Sequence, residues 1–346
     1  MSCLFNRLPL LTLAGVLSSA VPVAAWACAT CGCTLSADAA AGYSAVPGLR
    51  FNFEYDYVNQ DRLLSGTGAA TPAQVVNNPS NPALGGAEIE KQTINRYLTM
   101  GMSYSPNSEW NVSVLVPYVM RSHTTFGEQP SPYTASETAA SQISSSSLSD
   151  LGDVKIIGSY QGLLPTHNLG VQLGVKLPTG HYGTAVNFNT GPNAGTPLDA
   201  SLQAGTGSTD LIVGAYYYQA VSQNFDAFVN GQFQSAVRHK QDKPGNDFRP
   251  GNAATMSFGL RYEAHPQWVP QLQVNLLRKS ADQGALADTP DTAGTVAYLS
   301  PGLTLHVMGK LYLYAFAQLP VYARLDGYQL FPHWTVTVGG SYAFSP

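Results

Sequence analysis

The densest chemistry in this 346-residue chain lies near its start, where Cys28-Ala29-Thr30-Cys31-Gly32-Cys33 places three thiols within six positions. Thiolates this close can hold a soft metal such as Cu(I) or zinc, or dock a periplasmic redox partner. In an oxidising compartment they can equally form one disulfide and leave a spare thiol. The spacing is not a haem-attachment site, because Gly32 stands where a histidine must follow the second cysteine. A fourth ligand for a self-contained structural zinc site is also missing. His167, His265 and His306 fall near predicted short turns on the same side of the fold as the cysteines, which makes them candidate extra ligands. Beyond such a soft metal, no cofactor is predicted.

Chemistry of the enzymatic kind is not indicated. There is no Gly-x-Ser-x-Gly elbow and no His-Glu-x-x-His pair, and the expectation is a chain that is not an enzyme. Glu54, Asp56, Lys155, Lys176, Asp226, Arg261 and Glu263 instead recur on the polar face of alternating segments, among Asn230, Gln232, Gln273 and Asn275. They are the candidate pore-lining residues. Their signs are mixed, so a charge ring with strong ion selectivity is not expected.

The elements that would position them are strands. Residues 50–59 alternate Phe51, Phe53, Tyr55 and Tyr57 with Asn52, Glu54 and Asp56, a period of two that no helix shares. The same period marks residues 92–104, 110–121, 153–161, 169–177, 209–219, 225–235, 255–263, 269–278, 296–307, 310–319 and 334–344. About twelve strands result, with ten or fourteen following if a weak segment such as 295–307 is misread. Connections around Pro106, Thr166, Ser222, Pro266 and Gly309 are short. Those over 60–91, 122–150, 178–207, 238–254, 279–295 and 320–333 are long and rich in Gly, Pro, Asn, Ser and Thr. Alternating long and short connections are what a transmembrane antiparallel up-and-down β-barrel produces, with short periplasmic turns and long outer loops. A loop such as 122–150 could plug the lumen.

Composition agrees. Only 11% of residues are charged, against about 25% in a soluble domain, so much of the surface is predicted to face something other than water. No basic stripe suggests nucleic acid. Arg7 followed by the apolar run 8–17 and Ala25-Trp26-Ala27 reads as a cleaved export signal over 1–27, with an alternative cut after Ala25. Residues 28–48 would then be a periplasmic cysteine-bearing tether and 49–346 the barrel. Aromatic pairs Tyr104/Trp110, Tyr218/Phe225 and Tyr262/Trp268 flank the short turns as an interfacial girdle would. Thr337, Gly339, Tyr342 and Phe344 match the C-terminal pattern read by the barrel-assembly machinery, although Ser345-Pro346 follow where the aromatic usually ends the chain. The expected location is the bacterial outer membrane, in contact with its lipid, with both termini periplasmic.

Leu151-Gly152-Asp153-Val154-Lys155 followed by 169–180, ending Val175-Lys176-Leu177-Pro178-Thr179-Gly180, resembles outer-membrane proteins of the phenol-degradation meta-pathway (MetA-type) transporter family. The resemblance implies a barrel that admits small hydrophobic or aromatic compounds, and it brings no catalytic residues. Two functions therefore stand side by side. One is a passive channel for small solutes. The other is a barrel whose periplasmic thiols bind a soft metal or dock a redox or metal protein, similar by analogy to the barrels of electron-conduit complexes.

Overall fold

The computed structural model describes residues 47–77, 88–128 and 132–344. The signal segment, the cysteines Cys28, Cys31 and Cys33, and the tether up to residue 46 lie outside the described residues.

Strands β1 (Gly48–Gly66), β2 (Gly68–Ala69), β3 (Glu88–Ser105), β4 (Trp110–Glu128), β5 (Ser144–Leu151), β6 (Val154–Tyr160), β7 (Leu169–Leu177) and β8 (Ser208–Ala220) open the chain, with a one-turn helix α1 (Pro72–Val76) after β2. There follow β9 (Phe225–His239), the short pair β10 (Asp242–Lys243) and β11 (Asn246–Asp247), then β12 (Ala253–Tyr262), β13 (Trp268–Lys279), β14 (Gly294–Met308) and β15 (Leu311–Phe344). The long strands pair antiparallel in chain order, and β15 closes the sheet onto β1. Closure leaves no sheet edge, the condition for putting a sheet in lipid, where unpaired backbone groups find no water.

Two elements depart from a single straight strand. β15 is two legs: residues 311–325 pair with β14, and residues 325–344 pair with β1. The chain reverses at Asp326-Gly327, where Gly327 has φ +60° and a Cβ would run into the Asp291 carboxyl. β5 and β6 pair end to end along β4, interrupted at Gly152-Asp153. Taken this way the barrel makes twelve antiparallel crossings, up and down, as the period-two pattern predicts. Several predicted loops are partly strand: residues 60–66 and 88–91 belong to β1 and β3. Residues 320–333 are ladder apart from the tight reversal, and most of 122–128 and 144–150 extends β4 and β5. The reason is physical: these extensions lack a one-sided apolar face, so the alternation that reveals a strand fades there.

Burial is inverted relative to a soluble protein. Leu173 and Val321 are each 63% exposed, whereas Gln273 and Ser300 are 0% exposed. Apolar side chains cover the outside and polar ones fill the inside, which suits lipid without and a hydrated or hydrogen-bonded interior within. Among the described residues no helix is long and apolar enough to cross a membrane; the crossing is made by strands. Tyr104, Trp110, Phe225 and Trp268 point outward at the short-turn end. Tyr218 does not share that girdle: it turns inward, and its hydroxyl donates to the His167 carbonyl at 3.1 Å.

Candidate channel interior and mouth

Six of the seven predicted inner-face residues sit on the inward side of their strands, and Glu263 follows the end of β12. Glu54 and Asp56 are buried on β1; the Tyr314 hydroxyl donates to Glu54 Oε2 at 2.8 Å and the Thr337 hydroxyl to Asp56 Oδ1 at 2.5 Å. Arg261 pairs with Glu263 at 2.8 Å and lies directly opposite Asp226 in the β9–β12 register. Lys155 is half-buried and opposite Lys176. No ring of one sign forms from these groups.

Lys176 has a more specific task. It is buried, with Nζ 2.9 Å from Asp153 Oδ2 and 3.2 Å from Asp210 Oδ2, and it donates to Thr206 Oγ1 and to Ser208 Oγ. Asp153 in turn accepts from the backbone N–H of Gly180 at 3.2 Å and of Thr206 at 3.0 Å. Thr179 Oγ1 donates to the Gly152 carbonyl at 2.8 Å and accepts from the Val154 N–H at 2.9 Å. Gly180 and Gly205 pack backbone on backbone, and a Cβ on either would come within 2.9 Å of the other. The Leu-Gly-Asp and Lys-Leu-Pro-Thr-Gly stretches are therefore a latch that fastens both ends of the connection 178–207 to the wall.

That connection folds into the barrel. Phe188, Leu198 and Leu202 are buried against Val119 and Leu148, inward residues of β4 and β5. Arg121, also inward, donates to the Leu202 carbonyl, to the Gln203 carbonyl at 3.3 Å, to Asn95 Oδ1 at 2.5 Å and to the Tyr97 hydroxyl at 3.1 Å. The connection 178–207 thus narrows the mouth, and much of 122–150, the stretch that could plug the lumen, is instead strand of β4 and β5.

Sequence reading missed the inward aromatics, because they break the alternation. Tyr216, Phe228, Tyr314 and Phe316 point inward yet are at most 6% exposed. Each ring lies flat along the wall over a glycine of the adjacent strand: Tyr216 on Gly170, Phe228 on Gly259, Tyr314 on Gly339 and Phe316 on Gly302, where a Cβ would strike the ring. Ring-over-glycine pairing fills the wall without projecting into the lumen. Glycines set among polar residues on the inward strand faces, as at Gly170, Gly259, Gly302 and Gly339, were the available signal. Free inner surface remains beside β7, β9 and β12, where Gln172, Asn230, Gln232 and Ser257 are half-buried. By contrast, Gln273, Ser300, Thr304 and Thr337, on β13, β14 and the second leg of β15, are fully buried.

The three turn histidines keep separate company. His167 Nδ1 lies 3.2 Å from the Gln161 carbonyl, His265 stacks on Trp268, and His306 meets Tyr312 edge-on. Among the described residues no three His, Cys, Asp or Glu side chains are arranged to hold a metal ion. The cysteines lie outside the described residues.

An antiparallel barrel with a lipid-facing apolar exterior and a polar, loop-narrowed interior defines the class of outer-membrane β-barrels. Residues 92–330 match the family described as the MetA pathway of phenol degradation, and the chain belongs to that family. No curated protein matches it. Among solved structures it is similar to the COG4313 outer membrane channel from Pseudomonas putida, with 11% identity, 88% of this chain and 98% of that chain covered, and a TM-score of 0.61. It also aligns with the Ralstonia pickettii toluene transporter TbuX (10% identity, 87% and 90% covered, TM-score 0.44). A Bordetella autotransporter β-domain aligns as well (13% identity, 86% and 100% covered, TM-score 0.44). At these identities the likeness concerns the fold, and the last two carry nothing about solutes.

Proposed function

We propose that this protein is a passive outer-membrane channel for small hydrophobic or aromatic solutes, seated with its short turns and both termini toward the periplasm. The observation that carries the reading is a closed barrel with a polar, partly free inner surface beside β7, β9 and β12. Membership of a family associated with phenol degradation supports the solute class. Amides and hydroxyls dominate that free surface, so a neutral solute crosses without shedding a charge, and ions meet no selective ring. The lipid-facing strand end bearing Tyr342 and Phe344, whose rings pack on each other, with Phe344 also on Phe51, is the stretch we assign to recognition by the assembly machinery.

The test is reconstitution of the purified chain. Phenol or toluene uptake into proteoliposomes is expected to exceed that of protein-free liposomes, with small single-channel currents of weak ion selectivity. Uptake equal to the protein-free control together with a silent bilayer would overturn the reading.

A further inference from the structure

The connection 280–293 between β13 and β14 carries buried acids that the channel reading does not use. Lys279 Nζ lies 2.9 Å from Asp282, and Asp282 Oδ1 accepts from the Gly251 N–H at 2.7 Å. Ala287 packs with Phe248 and with Ala200 of the 178–207 connection. Asp291 Oδ1 accepts from the Tyr328 N–H at 2.8 Å, at the reversal of β15. Asp288 feels the charges of Asp291, of Asp199 from the 178–207 connection and of Glu90 from β3, and Glu90 in turn feels Glu88. Both legs of β15 and all of β1 separate β14 from β3 around the wall. Ala287 packs on Ala200, two residues from the Leu202 that is buried against Val119 of β4, so this connection has folded inward over the mouth.

Asp288 is only 4% exposed, and no protein N–H or O–H donates to either of its oxygens. Asp291 lies beside it in the same turn, with its backbone N–H donating to the Asp288 carbonyl at 3.2 Å and its carboxyl acting on that of Asp288. Two carboxylates repel, whereas a carboxyl and a carboxylate share one proton. The surrounding acids do not converge as a metal site requires.

We propose that residues 280–293 form a proton-held lid, seated across the mouth while Asp288 and Asp291 share a proton and lifted when that proton is lost. Burial, reinforced by the charges of Asp291, Asp199 and Glu90, pushes Asp288 up to about 11. Burial pushes Asp291 up to about 6. A lifted lid returns both to the ordinary value of about 3.9. The seated form therefore holds more protons between these values, so acid favours seating and rising pH weakens it. Each proton held only in the seated form raises the lifted-to-seated ratio about tenfold per pH unit. Above pH 6 one such proton remains, on Asp288.

The experiment uses Ala287→Cys, 5% exposed when the lid is seated, in the full chain with Cys28, Cys31 and Cys33 replaced by Ser. Its modification by a water-soluble maleimide, with the protein in detergent micelles so that both ends are reached, is normalised to Ser222→Cys, an exposed turn position at the other end. The normalised rate is expected to climb about tenfold per pH unit between pH 6.5 and 8.5. In D288N/D291N, whose amides pair at any pH, it should stay low and flat. A flat profile in the parent, or an unchanged slope in the double variant, would overturn the lid. Should the double variant lose heat-modifiability, D288N alone makes the same comparison. Labelling needs no conduction, so a silent bilayer leaves this test standing.

Discussion

The wall and the mouth of this barrel are built on opposite logics. In the wall, every second side chain faces lipid, and inward groups meet partners one or two strands away: Gln271 with Thr304, Asn275 with Ser300, Tyr216 with Gln161. In the mouth, residues of the connections meet residues of the wall, as with Arg121 of β4 and the Leu202 and Gln203 carbonyls of the 178–207 connection. The wall is specified by a pattern and tolerates exchange within it. The mouth is specified by single residues, and it fails one residue at a time.

Lys176 stands at the junction and should give the largest effect. Lys176→Met keeps the stem and removes the charge, leaving Asp153 and Asp210 buried without their cation. Breaking a buried pair from one side costs about 3–5 kcal/mol. The loss is expected to fall on the latch, since the β6–β7 ladder keeps its backbone bonds. Protease cleavage within 178–207 should therefore appear while heat-modifiability persists. An uncut loop would mean the mouth holds 178–207 without the latch.

This division also explains what could be read from the sequence. Strands 169–177 and 225–235 stood out because lipid demands an apolar residue at every second position, a local constraint visible in ten residues. The Leu-Gly-Asp and Lys-Leu-Pro-Thr-Gly stretches were recognisable as a family likeness, but their role was not, because Asp153, Lys176 and Thr206 meet only after folding. Lys176 looked like a pore charge for the same reason: facing inward is a matter of parity, being paired is a matter of tertiary structure. Asp288 and Asp291 lay in a segment that reads as polar loop, and nothing local announces that a loop acid is buried.

The wall's own single-residue dependence lies in its ring-over-glycine contacts. Gly259→Val would drive a branched side chain into the Phe228 ring, and overpacking of this kind costs roughly 1–3 kcal/mol. Phe228→Ala in the same chain should recover part of that loss, because the intruding methyls then occupy the space the ring left. Urea unfolding from lipid vesicles, followed by tryptophan fluorescence, gives the four stabilities of the cycle. Additive losses would show that the ring does not rest on the glycine, and the wall would then be pattern alone.

The smallest effect marks the border between the two regions. Arg96 faces outward on β3, opposite Tyr57 of β1, with its guanidinium carbon 5.9 Å from the Tyr57 ring centre; Trp334 flanks the same ring at 5.8 Å. A cation among outward aromatics belongs at headgroup level rather than in hydrocarbon, so this trio sets where the apolar belt ends toward the long loops. Cation–π contact at a half-exposed site contributes about 0.5–1 kcal/mol. Arg96→Ala should therefore lower stability by about that much. Replacing Tyr57 by Leu should remove most of the coupling in a double-mutant cycle. A loss several times larger would place Arg96 deeper in the belt than its aromatic neighbours imply, and would shift the boundary between wall and mouth toward the short turns.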